Sequence, residues 1–119
     1  MAWEVKYFRK RDGTVPAKSF QEALPPKLRA KLLRITQEAA QTEGAIGGGY
    51  YEICHSHPGL SETRAKFQKD LGRFVCGRDG NTLILLTGVR KLLGQPTPPA
   101  LLDEADALLS EYQETKDTV

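Results

Sequence analysis

The chain has 119 residues, of which 39% are hydrophobic and 27% are charged. These proportions exclude a wholly disordered chain, and the length favours a single domain over residues 1–119. No apolar run approaches the roughly 20 residues of a membrane span, and the N-terminus lacks the apolar stretch of a signal peptide. Two cysteines need no disulfide framework, so we expect a protein of the reducing cytoplasm with no membrane contact.

The net charge of +2 conceals an uneven distribution along the chain. Residues 64–91 hold seven basic and two acidic side chains, whereas residues 92–119 hold one basic and six acidic side chains. A basic middle beside an acidic end favours an anionic partner for the basic segment, with the acidic segment kept away from it. Solvated charge on both segments is the alternative that composition leaves open.

The spacing of apolar residues predicts both strands and helices. In chain order the predicted elements are a strand at 3–8, helices at 17–24 and 26–41, strands at 50–53, 60–67, 71–76 and 82–89, and a helix at 99–112. The last strand is nearly continuous in apolar residues, which is typical of burial on both faces. This order favours an α+β fold, with an antiparallel (mixed) sheet of four to five strands, two N-terminal helices packed on it and a C-terminal helix.

The same patterns support three finer expectations. The first strand turns Trp3, Val5 and Tyr7 toward the core. The helices lie on one side of the sheet and leave the other side open. The polar tail after about residue 113 frays.

Basic residues gather on one predicted pair of strands. Arg64 and Lys66 are two residues apart on one strand and therefore share a face. If the hairpin turns near Lys69, then Lys66 falls roughly opposite Arg73, although a slip of one residue would undo this pairing. Like charges that face each other cost stability, so a bound anion would explain the cluster. Phosphate suits it, because guanidinium groups bind two phosphate oxygens and a nucleic-acid backbone repeats that group.

Arg90 and Lys91 emerge at the end of the buried strand, where they can lie beside the same surface. They add to the case for an anionic ligand. A solvated strand face is the alternative for the whole cluster.

Cysteine and histidine residues suggest two other kinds of chemistry. Cys54, His55 and His57 with Cys76 are residue types of a zinc site, but Cys-His-Ser-His is not a recognised ligand spacing, so we expect no metal. A cysteine nucleophile beside a histidine is not supported by adjacency in sequence alone. The two imidazoles are candidates for proton transfer near neutral pH, with simple surface exposure as the alternative.

Several segments between about residues 3 and 112 occur in a familiar order. They are Val15-Pro16 with Phe20, the run from Leu24 to Lys31, the run from Gly59 to Arg64, the run from Thr82 to Lys91, and a Thr-Pro before the last helix. In this order they resemble the phage-derived, HigB-like branch of the RelE/ParE toxin superfamily.

The resemblance implies a toxin of a type II toxin–antitoxin pair, a ribosome-dependent mRNA endonuclease that needs no cofactor. It implies a helix-turn-helix antitoxin, the ribosome and messenger RNA as partners. The expected catalytic residues are Arg64, Arg73, Arg90 and His57, and the expected RNA-binding residues are Lys66, Lys69, Lys91 and His55. The alternative is a non-enzymatic module of the same fold, either a gyrase inhibitor or a phage protein that binds a host factor.

Overall fold

The computed structural model describes residues 2–92 and 94–119, which form five strands and three helices. The elements are β1 (Glu4–Tyr7), α1 (Pro16–Ala23), α2 (Pro26–Gln41), β2 (Tyr51–Ile53), β3 (Leu60–Phe67), β4 (Asp70–Asp79), β5 (Thr82–Leu92) and α3 (Pro99–Thr115). The bounds of α2 and β3 agree with the predicted ones. Strands β4 and β5 are longer than predicted because they pair along their whole lengths. None of the helices in these ranges is long and apolar enough to cross a membrane.

The five strands form one mixed sheet in the order β1-β5-β4-β3-β2, which confirms the α+β class. Strand β1 runs parallel to β5, and the other three pairs are antiparallel. The β4–β5 hairpin turns at Gly80, whose φ of +57° is a left-handed conformation that glycine adopts without steric cost. Strand β5 has β1 on one side and β4 on the other, so it lies inside the sheet, as its continuous apolar sequence predicts.

Helices α1 and α2 cover one face of the sheet. Leu28, Leu32 and Ile35 recur at helical spacing along α2 and are buried against the sheet. Phe74 of β4 and Leu85 of β5 belong to the same apolar core. This layer holds β3 and β4 in place, and those two strands carry Arg64, Lys66 and Arg73 of the predicted site.

Helix α3 covers the opposite face, so the expectation of an open side is wrong. Leu102, Leu108 and Tyr112 of α3 are buried in a second core with Ile84 and Leu86 of β5. The physical reason lies in β5, whose side chains enter the two cores alternately. A strand that is apolar on both faces needs a cover on both. The apolar stripe of α3 supplies the second cover.

Strand β1 is joined to the C-terminus. Phe8 is fully buried in the α3 core, whereas Val5 and Tyr7 are only partly buried on the side of α1 and α2. The Val119 N–H donates a hydrogen bond to the Tyr7 carbonyl oxygen at 2.8 Å. The expected fraying after residue 113 is therefore wrong, since α3 continues to Thr115 and the last residues pair beside β1.

The acidic C-terminal segment is partly neutralised by the basic residues that follow β1. Arg9 pairs with Asp117 at 3.0 Å, and Arg11 pairs with Glu114 at 2.8 Å. These exposed ion pairs contribute little stability individually. They do show that this part of the acidic charge has a partner outside the basic segment 64–91.

Candidate anion-binding site

Arg64 and Arg73 face each other across the β3–β4 pair. The register places Lys66 opposite Leu71, so the predicted pairing of Lys66 with Arg73 is wrong. The observed register differs from the predicted one by two residues. An even shift leaves each side chain on the predicted face of the sheet. Arg64, Lys66 and Arg73 therefore share the α3 side of the sheet with Leu60, a member of the α3 core. We call Arg64 and Arg73 the arginine pair.

A buried carboxylate, that of Glu62, lies between the two arginines. Its Oε1 is 3.0 Å from both Nε and Nη2 of Arg64, and 3.6 Å from Nη1 of Arg73. The Glu62 side chain is only 3% exposed. Glu52 of β2 contacts Arg64 from outside, at 3.3 Å, and its side chain is 49% exposed. The arginine pair is therefore held by one buried and one exposed carboxylate rather than consisting of two free cations.

Arg73 is held by further hydrogen bonds at the start of the segment before α3. Its Nη1 donates to the Thr97 hydroxyl, and its Nη2 donates to the Gln95 carbonyl oxygen at 3.1 Å. Burial lowers the pKa of Arg73, and the charge of Glu62 opposes that shift. The Arg73 Nε is buried and has no hydrogen-bond partner among the described residues. A buried donor without an acceptor is unfavourable, and this nitrogen is not accessible to a ligand in the present conformation.

Two surface cavities meet at the arginine pair, and both arginines line both of them. The first, which we call the Tyr50 cavity, measures about 360 Å³. The second, which we call the His55 cavity, measures about 320 Å³. Besides the arginines, the Tyr50 cavity is lined by Gly48, Gly49, Tyr50, Lys66 and Leu71, and the His55 cavity by Cys54, His55, Glu62, Thr97 and Leu102. Together they form one groove with the arginine pair at its centre.

Arg90 lies on the other face of the sheet, so the expectation that it joins this surface is wrong. A register shift between Val75 and Cys76 places Arg90 opposite Gly72, on the side of α1 and α2. Its Nη2 forms an ion pair with Asp70 at 2.9 Å. Lys91 is opposite Leu71 and therefore shares the face of the arginine pair.

Lys69 lies in the turn between β3 and β4. Its side chain is exposed and lines neither cavity of the groove. The turn connects the strand of Arg64 to the strand of Arg73. Lys69 is therefore close to the groove in sequence, but it is not part of the groove wall.

The two histidines occupy different environments. His55 is exposed and lines the cavity that bears its name. The His57 Nε2 lies 2.8 Å from an Asp103 carboxylate oxygen, and its Nδ1 lies 2.8 Å from the Ser56 hydroxyl. His57 lines neither cavity and instead ties the loop before β3 to α3. The structure therefore brings His55, and not His57, to the arginine pair.

The cysteines are poorly suited to nucleophilic chemistry. Burial raises the pKa of Cys54 to about 11, and the charge of Glu62 acts in the same direction. Burial also raises the pKa of the fully buried Cys76. A protonated thiol is a weak nucleophile and a weak metal ligand. Within residues 2–92 and 94–119, no three or more His, Cys, Asp or Glu side chains are grouped to hold a metal ion.

Comparison with known proteins leaves the site to be interpreted from its own geometry. No protein-family model matches the chain, and no curated protein matches it either. The charged and imidazole groups that meet in the groove are two guanidinium groups, one ammonium group, two carboxylates and one imidazole.

Proposed function

We propose that the protein is a toxin that cleaves messenger RNA on the ribosome, as its resemblance to HigB-like toxins implies. The observation that supports this best is the arginine pair at the junction of two cavities, one of which contains His55. Guanidinium groups bind phosphodiester oxygens through parallel N–H donors.

The proposed cleavage needs no co-reactant. The ribose 2′-oxygen loses its proton to a base and attacks the adjacent phosphorus, while the bond from phosphorus to the 5′-oxygen breaks and that oxygen takes up a proton. The products are a 2′,3′-cyclic phosphate and a 5′-hydroxyl. We assign stabilisation of the charge that develops on the phosphoryl oxygens to the arginine pair. We assign proton transfer to His55, since imidazoles exchange protons near neutral pH and His55 lines the groove.

Glu62 and Glu52 compete with a phosphate for the same arginines. Glu52 is half exposed, and such a surface contact is weak and easily replaced. Glu62 is buried, and leaving its charge without a partner would cost several kcal/mol. We therefore infer that an incoming phosphate displaces Glu52 and that Glu62 keeps the arginine pair in position.

Two lysines add positive charge on the same face of the sheet. Lys66 lies on β3 and Lys91 on β5. Neither has an ion-pair partner within the part of the chain that the structure describes. They would extend the electrostatic attraction for a nucleic-acid backbone beyond the groove itself.

The proposal includes partners and a location. A messenger-cleaving toxin acts in the cytoplasm, where the ribosome presents the RNA. A helix-turn-helix antitoxin that covers the face of the arginine pair would block access to both cavities. The reading frame next to the gene is the first place to look for that antitoxin.

The proposal is tested by removing both guanidinium charges. We expect the double variant Arg64→Gln, Arg73→Gln to relieve growth arrest and to abolish new messenger 5′ ends in translating cells. In the double variant the buried Glu62 carboxylate would lose both arginine partners, which could unfold the protein. A triple variant that also carries Glu62→Gln removes this unpaired charge, and circular dichroism checks that it is folded. The matched control is Arg11→Gln, Arg34→Gln, which removes two exposed arginines that lie in surface ion pairs. A folded triple variant that remains as toxic as the wild type would contradict the proposal.

A second candidate is a non-catalytic module of the same fold that inhibits gyrase or binds a host factor. It is favoured by the carboxylates that already occupy Arg64 and by the hydrogen bonds that engage both ring nitrogens of His57. Mapping messenger ends separates the two. Intact messengers together with a DNA-damage response, or with no effect on growth, would favour the second candidate.

A further inference from the structure

The two cavities of the groove are of similar size and are separated by the arginine pair. We propose that the groove binds two successive nucleotides of a single strand, one nucleoside in each cavity, with the phosphate that joins them at the arginine pair. This inference rests on the proposed function and adds which cavity receives each of the two nucleosides that flank the phosphate. It also adds Tyr50, which none of the sequence arguments singled out, as a residue that binds a base.

The size of the cavities limits what they can hold. Cavities that bind small molecules measure about 300–1,000 Å³, and each of these lies near the lower end of that range. One nucleoside per cavity fits this size. The bases of a double helix are stacked and paired, so they could not enter two separate cavities without leaving the helix.

Tyr50 is placed to stack on a base. The residue is 39% exposed and lines the Tyr50 cavity. Its carbonyl oxygen accepts a hydrogen bond from the Arg64 backbone N–H at 2.9 Å, which fixes it beside the arginine pair. The ring also lies against Gly48, where an added Cβ would come within 2.9 Å of a ring carbon. Gly48 has a φ of +75°, so both its lack of a side chain and its backbone conformation keep this position for glycine.

The rest of the Tyr50 cavity fits a nucleoside. Ala65 and Leu71 provide an apolar surface for a base, and Lys66 provides a charge beside it. Aromatic rings bind the bases of single strands without strong sequence preference, because every base has a flat π face.

The His55 cavity is more polar and suits the other nucleoside in a different way. Glu62, Thr97 and His55 supply acceptors and donors for a sugar, the large aliphatic residues of its wall are Ile53 and Leu102, and no Phe, Tyr or Trp ring of the described residues lines it on which a base could stack. We therefore place the stacked base in the Tyr50 cavity and the second ribose in the His55 cavity.

The test uses a dinucleotide that cannot be cleaved. The probe is 2′-fluoro adenylyl-adenosine, which lacks the attacking hydroxyl. The reference is the methyl phosphodiester of 2′-fluoro-adenosine, which carries the same single charge but only one nucleoside. Calorimetric titration of the wild-type protein should show at least about tenfold tighter binding of the dinucleotide. Equal affinity for the two compounds would overturn the inference.

A substitution at Tyr50 tests the stacking contact separately. Tyr50→Ala should weaken dinucleotide binding about tenfold, as is typical for loss of one stacked base, whereas Tyr50→Phe should retain it. Binding of inorganic phosphate should be unchanged in both variants, because phosphate needs only the arginine pair. An unchanged dinucleotide affinity in Tyr50→Ala would overturn the placement of the base.

Failure of this inference is distinguishable from failure of the proposed function. Cleaved messengers in cells, together with equal binding of the two probes, would overturn the two-cavity arrangement alone. Tight dinucleotide binding by a protein that leaves messengers intact would overturn the cleavage activity and support the groove as a nucleotide-binding site.

Discussion

Replacement of Glu62 by glutamine tests whether the buried carboxylate anchors the arginine pair. The substitution keeps the shape of the side chain but removes the charge that faces Arg73, whose side chain is only 11% exposed. Removing one partner of a buried ion pair typically costs about 3–5 kcal/mol. Arg64 is more exposed and keeps its contact with Glu52, and the glutamine carbonyl can still accept a hydrogen bond. We therefore expect a loss of about 3 kcal/mol in the free energy of unfolding.

Urea denaturation followed by circular dichroism measures this loss as a lower midpoint at an unchanged slope. The matched control is Glu52→Gln, which removes a half-exposed carboxylate from the same Arg64. We expect the control to cost less than about 1 kcal/mol, as is usual for surface ion pairs. Equal losses in the two variants, or a loss below about 1 kcal/mol in Glu62→Gln, would refute the argument that burial makes Glu62 the anchor.

Three further predictions concern the faces of the sheet and its acid stability. Lys91→Ala should weaken dinucleotide binding more than Arg90→Ala, because only Lys91 shares the face of the arginine pair, and calorimetry measures the difference. Leu108→Ala should lower the free energy of unfolding by about 2–5 kcal/mol, since this residue of α3 is only 6% exposed where the helix packs on the sheet; an unaffected urea midpoint would contradict the packing of α3. Hydrogen bonds from Lys116 and Tyr112 lower the pKa of Asp79 below its ordinary 3.8, so its stabilising contribution is present above that pH and is lost as the pH falls through the lowered value. Asp79→Asn should therefore flatten the fall of thermal stability between about pH 5 and 2, and an unchanged acid profile would show that the contact is unimportant.

Local patterns were sufficient to predict most of the secondary structure. The helical spacing of Leu28, Leu32 and Ile35 and the proline at the start of α2 predict that helix to the residue. The two-residue period of β3 predicts that Arg64 and Lys66 share a face. Both patterns are short-range, because each depends on the geometry of a single element.

The position of α3 on the second face of the sheet follows from two sequence features taken together. A continuous apolar run in β5 predicts burial on both faces, and an amphipathic helix at the C-terminus needs an apolar surface to pack on. These two requirements are satisfied together only if α3 lies on the face that α1 and α2 leave uncovered. The same reasoning applies to Glu62, which the period of β3 places on the face of Arg64. A carboxylate next to a basic cluster is a signal for a pre-arranged pair rather than for free cations.

The face of the sheet on which Arg90 lies could not be derived from periodicity, because a bulge interrupts the alternation of β5. Strict alternation from Ile84 and Leu86, both in the α3 core, would place Arg90 on the α3 side as well. The register shift between Val75 and Cys76 inserts one extra residue on β5, so that Thr87 rather than Leu86 is opposite Val75. A β-bulge of this kind reverses the alternation beyond it and exchanges Arg90 with Lys91. A basic pair at the end of a strand therefore places one cation on each face, and the bulge decides which of the two can reach the groove.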